Sequence, residues 1–313
     1  MVAPVGDAWE RNYQSKQPFR LHVADNSHPD FNGTYLAALV DLYGPVMPGV
    51  GFGLDFKKAR GIELTGVAVA NHILRDRDNP VSVLAMIEYA RSNARSVRTA
   101  LTREVWEATN ESWMVLRELM AKPLRASNLG EVLAAVRRQS TLVRGAMDGT
   151  MLRNEIFNFA RIGTFIERAD NTARILDVKY YVLLPSVSLV GSSLDNAQWE
   201  MILRSVSGET AYRWLHAGAM DARGIASFLM LDERFPRSLA FCYDSLRINM
   251  AGLAREYGGE SHSHGLMRNV GAKLHGAEID GIIEYGLHQF IGDFLKENRA
   301  VADAVASDYR FTH

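Results

Sequence analysis

With a single cysteine, Cys242, in 313 residues, the chain can form neither an intramolecular disulfide nor a cysteine-based zinc cluster. A reducing cytoplasm fits such a chain best. No run of about 18 apolar residues occurs, and the opening MVAPVGDAWERNYQ lacks a basic region followed by an apolar stretch. The protein is therefore expected to be neither secreted nor membrane-spanning. An excess of one charge sign is also missing. With 35 Lys+Arg against 36 Asp+Glu there is no global field to draw nucleic acid or anionic lipid. The P-loop, GxGxxG and nucleophile-elbow patterns are absent, so ATP, nicotinamide and serine-hydrolase readings lose their usual footholds and no cofactor is expected.

Proline is sparse and unevenly placed. Five of the nine prolines fall within the first 48 residues, close to Gly44, Gly49, Gly51 and Gly53, and residues 1–65 read as an irregular segment. The remaining four, Pro80, Pro123, Pro185 and Pro236, leave uninterrupted spans of 42, 61, 50 and 77 residues. Those spans carry helical periodicity, as in Val132, Ala135, Val136, Leu142, Val143 and Met147, and no segment alternates with period two. The spacing predicts helices near 66–76, 81–121 with a break near Thr102, 129–148, 151–184, 195–216, 221–231, 237–257, 262–276 and 278–308. The fold class is all-α.

Sliding the sequence by 156 residues lays LRDRDNPVSV (74–83) over MLDERFPRSL (230–239). Asp76, Pro80, Ser82, Arg91 and Asn93 then meet Asp232, Pro236, Ser238, Arg247 and Asn249, on a shared layout of apolar helix, acidic turn, proline and long helix. The expectation is a helical bundle built from two related halves, about 66–150 and 151–313. Asp76, Pro80, Asp232 and Pro236 form its repeated turns.

Two charged rows bear on chemistry. Glu167, Asp170, Arg174 and Asp177 are spaced 3, 4 and 3 apart and share one helical face beside the stripe Ile162, Phe165, Ile166, Ala169, Ala173, Leu176 and Tyr180. At a core edge they suit an ion-pair network, a cation site or an acid/base pair, which makes Glu167, Asp170 and Asp177 the catalytic candidates. Arg91, Arg95 and Arg98 form a basic row that needs an anionic neighbour. That neighbour is either the acidic row, giving a seam that includes Arg168 and Arg174, or a phosphate or peptide carboxylate. Histidine gives less: Glu284 and His288 are four apart and His275 lies upstream, without H-E-x-x-H spacing, and no metal is assigned. His262 and His264 read as solvated in a Gly-rich loop, and Cys242 as a small buried thiol.

The stretch IGTFIERADNTARILDVKYYVLLPSVSLVGSSLDNAQWEMILRS (162–205) closely resembles the alpha-E domain family, all-helical bacterial proteins named for a Glu-Arg motif, here Glu167-Arg168. The likeness extends through 74–113, 141–163 and 228–239, and runs nearly continuously from about residue 66 to the C-terminus. Residues 1–65 depart from it. The resemblance implies a second Glu-Arg helix there, whereas this chain has only Trp9-Glu10-Arg11; either that helix was lost or the segment derives from a divergent or shifted reading frame, and the total length favours the second. The resemblance further implies partnership with a circularly permuted ATP-grasp ligase and a transglutaminase-like peptidase, with the helical protein as a peptide-ligation accessory or a further enzyme. A homo-oligomer pairing its Glu-Arg helices is a third option.

Overall fold

In the computed structural model the described residues are 66–79, 82–182, 193–216 and 220–310. Among them the regular structure is helical, without strands: α1 Gly66–Arg75, α2 Val83–Ser96, a single 3-10 turn Arg98–Ala100, α3 Arg103–Leu119, α4 Ala126–Thr150, α5 Glu155–Val182, α6 Ser193–Ser205, α7 Glu209–Leu215, α8 Ala222–Leu231, α9 Leu239–Glu256, α10 His262–His275, α11 Ile279–Tyr285 and α12 Leu287–Asp308. The all-α expectation is met. The segment 1–65, Trp9-Glu10-Arg11 and Pro80 lie outside the described residues. No helix among those described is long and apolar enough to cross a membrane.

Three long spans of the sequence reading break, each for a local reason. The span 81–121 divides where Leu101 and Thr102 turn extended, and Thr102 Oγ1 accepts from Val105 N to start α3. The span 195–216 divides at Ser207, with φ 55°, and Gly208. A Cβ on Gly208 would come within 2.9 Å of Leu203 Cδ1, so the chain closes on that residue because it has no side chain. The span 278–308 divides at Gly286, with φ 104°, which separates Glu284 on α11 from His288 on α12. These two therefore do not share a helical face. The helix expected from about 129 begins at Ala126, so Asn128 lies in the first turn of α4, where its Oδ1 accepts from Arg125 N.

The described residues form two compact units, one of 66–79, 82–164 and 309–310, the other of 165–182, 193–216 and 220–308. The first unit packs α2 against α3 and α3 against α4. Leu74, Leu84, Ile87, Leu116, Met120, Val132 and Val136 form one of its apolar clusters, and Val105, Val143, Met147, Met151 and Phe157 another. Asn71 fastens α1 to the end of this layer, donating to Leu124 O and accepting from Leu124 N at 2.8 Å. The second unit packs α9 against α10 and α10 against α12. Leu239, Cys242, Leu246, Met250 and Leu253 make the inner face of α9, each wholly buried. Phe228 stacks on Phe235 with ring centroids 4.5 Å apart. Cys242 is the buried thiol expected of it.

The two repeated turns carry matching hydrogen bonds. Asp76 Oδ1 accepts from Asp78 N at 3.0 Å, and Asp232 Oδ1 accepts from Arg234 N at 2.8 Å. Ser82 N donates to Asn79 O, and Ser238 N donates to Phe235 O, both at 3.0 Å. Each serine then caps the following helix, Ser82 Oγ accepting from Ala85 N and Ser238 Oγ from Phe241 N. The helices flanking these turns keep the same register, α1 and α8 beginning and ending 156 residues apart, as do the first residues of α2 and α9.

Ser238 has two roles, because its hydroxyl also donates to Asp232 O at 2.5 Å while the residue is wholly buried. Ser238→Ala is expected to lower the stability of the fold by about 1–2 kcal/mol, read as a lower urea midpoint at unchanged slope. An unchanged midpoint would mean that water replaces the cap.

Candidate functional site

The helix that carries Glu167-Arg168 is held by backbone acceptors and donors along its length. Arg168 is buried, and its Nη1 donates to Pro236 O at 3.1 Å. One turn further on, Thr172 Oγ1 donates to Arg237 O at 2.7 Å. The carbonyls of Pro236 and Arg237 precede the first turn of α9, where no intrahelical N–H reaches them, so side chains of α5 supply the missing donors. Arg168 also lies over the Phe165 ring, 5.2 Å from its centroid. Asn298 of α12 donates to Ile166 O at 3.2 Å and accepts from the Tyr243 hydroxyl at 3.0 Å. Burial, then the charges of Glu297, Cys242 and Asp170, push the Tyr243 phenol well above its ordinary pKa and keep it a neutral donor. The sequence-predicted Arg168 and Pro236 thus meet, a pairing 68 residues apart that no periodicity encodes.

The acidic row has partners of its own. Asp170 takes Arg174 in a two-point ion pair, with Nε at 2.6 Å and Nη2 at 3.3 Å. Asp177 Oδ1 lies 2.6 Å from Nδ1 of His288 at the start of α12. Glu167 is half-buried, as are Asp170 and Asp177. Asp177 and His288 together make a carboxylate–imidazole pair, a unit suited to proton transfer. The sequence held Asp177 as a candidate and noted His288 beside Glu284, but nothing in it paired the two across 111 residues.

The basic row takes a different setting. Arg91 Nε donates to Asn110 Oδ1 at 2.7 Å, and its guanidinium lies 4.2 Å from the Trp113 ring centroid. Arg98 lies over Trp106 at 5.4 Å, and Arg95 is exposed. None of the three forms an ion pair among the described residues.

Histidine departs most from the sequence reading. His264, expected in solvent, is buried in the first turn of α10, accepting at Nδ1 from Ser261 N and donating from Nε2 to Met250 O at 2.9 Å. The single tautomer protonated at Nε2 satisfies both bonds. His275, the last residue of α10, sits between Glu233 Oε1 at Nδ1 (2.9 Å) and Asp244 Oδ1 at Nε2 (3.2 Å). These three are the group among the described residues whose ligand atoms come within 4.8 Å of one another. Each ring nitrogen already has its own carboxylate, so a metal ion there would have to displace one of them.

The Glu-Arg pair thus sits on a helix among described residues whose regular structure is helical, and the profile of Alpha-E, "a predicted alpha-helical domain with a conserved ER motif", matches residues 41–309. The chain belongs to the Alpha-E family. The match to Alpha-E starts well before residue 66, so the family likeness takes in part of the segment that reads as atypical. No curated protein and no solved structure matches the chain.

The turn that Arg168 grips is itself sensitive to charge. Burial opposes the Asp232 carboxylate, but hydrogen bonds from the Arg234 side chain and backbone outweigh it, with help from the charges of Arg234 and His216, and hold its pKa below the usual value. A carboxylate depressed on folding contributes stability above its unfolded pKa of about 3.9, and that contribution is lost as pH falls through the folded value. Asp232→Asn should therefore flatten the acid limb of the stability curve below about pH 4 while changing its shape little near neutrality. Urea midpoints across that range check this. An acid limb as steep as the parent's would assign the loss to other carboxylates.

Proposed function

We propose that this Alpha-E protein is a non-enzymatic helical component of a bacterial, cytoplasmic peptide-ligation system, acting beside a circularly permuted ATP-grasp ligase and a transglutaminase-like peptidase. The ligase supplies ATP chemistry, the peptidase supplies its own nucleophile, and the helical protein presents the peptide. The observation that carries the accessory role is the use made of the Glu-Arg helix. Arg168 and Thr172 are committed to the carbonyls of Pro236 and Arg237, and Arg174 to Asp170, so three of the polar side chains on that helix serve the fold. The choice of peptide ligation rests on the family resemblance. Common descent of the two halves is part of this reading, supported by the matching Asp76 and Asp232 turns and by the 156-residue register of their flanking helices.

A second reading has one observation in its favour. Asp177 and His288 form a half-exposed pair of the kind that moves protons, and an enzyme would place its acid/base chemistry there. Pull-down of the tagged chain from its own host, with bound proteins identified by mass spectrometry, separates the two. Recovery of the ligase or the peptidase is expected. Recovery of neither, from protein shown to be folded, removes the accessory role and leaves the Asp177–His288 chemistry to be tested.

A further inference from the structure

The face shared by α2 and α3 gathers cations that form no ion pair among the described residues. Trp106, Asn110, Trp113 and Arg117 recur along one side of α3 at helical spacing, and α2 packs against that helix. Arg91 of α2 and Arg117 of α3 both lie over the Trp113 ring, 4.2 and 4.1 Å from its centroid. The two guanidinium groups are thus no further apart than the sum of those distances. Arg98, over Trp106, and Arg95 continue the row. Arg95, Arg98 and Arg117 are exposed, while Arg91 and the two tryptophans are half-buried. None of the four arginines forms an ion pair among the described residues, and Glu107, which adjoins Trp106 in the chain, is paired with Arg103. Like charges at this spacing repel, and an anion lying across them relieves the repulsion.

The setting of the arginines selects among anions. Stacking on Trp113 and the bond from Nε to Asn110 hold the Arg91 plane in place, leaving its two terminal nitrogens as a preset pair of donors. Guanidinium groups already cover the Trp113 ring, so a nucleobase has no indole to stack on there. That disfavours nucleotides and single-stranded nucleic acid, which rely on such platforms. On α2, Arg91 and Arg95 stand about one turn apart, a rise of about 5.4 Å, and Arg98 follows in the next turn of chain. Alternate side chains of an extended peptide lie about 6.6 Å apart, close enough for successive carboxylates to meet successive arginines.

We propose that this Arg/Trp face binds an acidic peptide segment in extended form, with Arg91, Arg95, Arg98 and Arg117 reading its carboxylates. The choice of peptide over another polyanion rests on the ligation reading above. The test is fluorescence anisotropy of a fluorescein-labelled tetraglutamate peptide titrated with the full chain at low salt, with tetraglutamine and inorganic tripolyphosphate as competitors. Saturable binding that weakens with salt and resists tetraglutamine is expected. Arg95→Glu, at an exposed side chain, should weaken binding about tenfold, and Arg91→Lys, which removes the planar fork, should weaken it measurably while the circular dichroism spectrum stays unchanged. Absence of binding, indifference to Arg95→Glu, or displacement by tripolyphosphate as effective as by unlabelled tetraglutamate would overturn the proposal. Peptide binding without recovery of the ligase or peptidase in the pull-down leaves this site standing and removes the ligation reading. Recovery of those partners without peptide binding does the reverse.

Discussion

A carbonyl just ahead of a helix has no donor within that helix, and in the second unit of this protein side chains of α5 meet that need at Pro236 and Arg237. Pro236 brings no N–H of its own and fixes the backbone entering α9. Its carbonyl oxygen accepts from Arg168, and the next carbonyl accepts from Thr172, so α5 and the turn before α9 are joined at two successive residues. On the other side of α5, Asn298 closes a relay from the Tyr243 hydroxyl to Ile166 O. The apolar residues around these bonds, Phe165, Ala169, Leu176, Tyr243 and Phe294, are buried together with them. Hydrogen bonds in such surroundings are costly to leave unmade, which ties the polar residues to the packing.

Much of the fold was legible because it is written in local signals. Proline-free spans with helical periodicity gave the long helices, and Ser82 and Ser238 mark caps that any reader of turn chemistry would place there. The acidic turns at Asp76 and Asp232 were legible as turns, and their hydrogen bonds match. The breaks at Ser207–Gly208 and Gly286 were not, because a glycine inside an apolar pattern does not say whether the helix tolerates it or ends at it. The candidate site was half legible. Its carboxylates lay on one face, and Asp170 pairs with Arg174 along the same helix, but other partners came from elsewhere: His288 for Asp177, across 111 residues, and the Pro236 carbonyl for Arg168. Backbone acceptors leave no trace in residue type, so no reading of the side chains reveals them. His264 was misplaced for a related reason. A histidine beside serines and glycines reads as wet, yet the first turn of α10 gives it both a donor and an acceptor from the main chain.

The basic row shows how an unsatisfied sequence signal differs from a satisfied one. Arg91, Arg95 and Arg98 at helical spacing call for negative charge, and the structure meets part of that demand with the faces of Trp106 and Trp113 and the amide of Asn110. Aromatic faces and amides orient a guanidinium without neutralising it. Arg168 is the contrast, engaged by a backbone carbonyl and buried, and so withdrawn from any ligand. Arg168 and Arg174 are thus engaged within the fold, whereas Arg95, Arg98 and Arg117 face outward.

The account stands on the Glu-Arg helix being a structural clamp. The most direct test is the urea unfolding of Arg168→Met, which keeps a long apolar stem in place but removes the donor to Pro236 O. A loss of about 2–3 kcal/mol at unchanged slope is predicted, the cost of removing a hydrogen bond made by a charged group. Stability equal to or greater than the parent's would contradict the clamp.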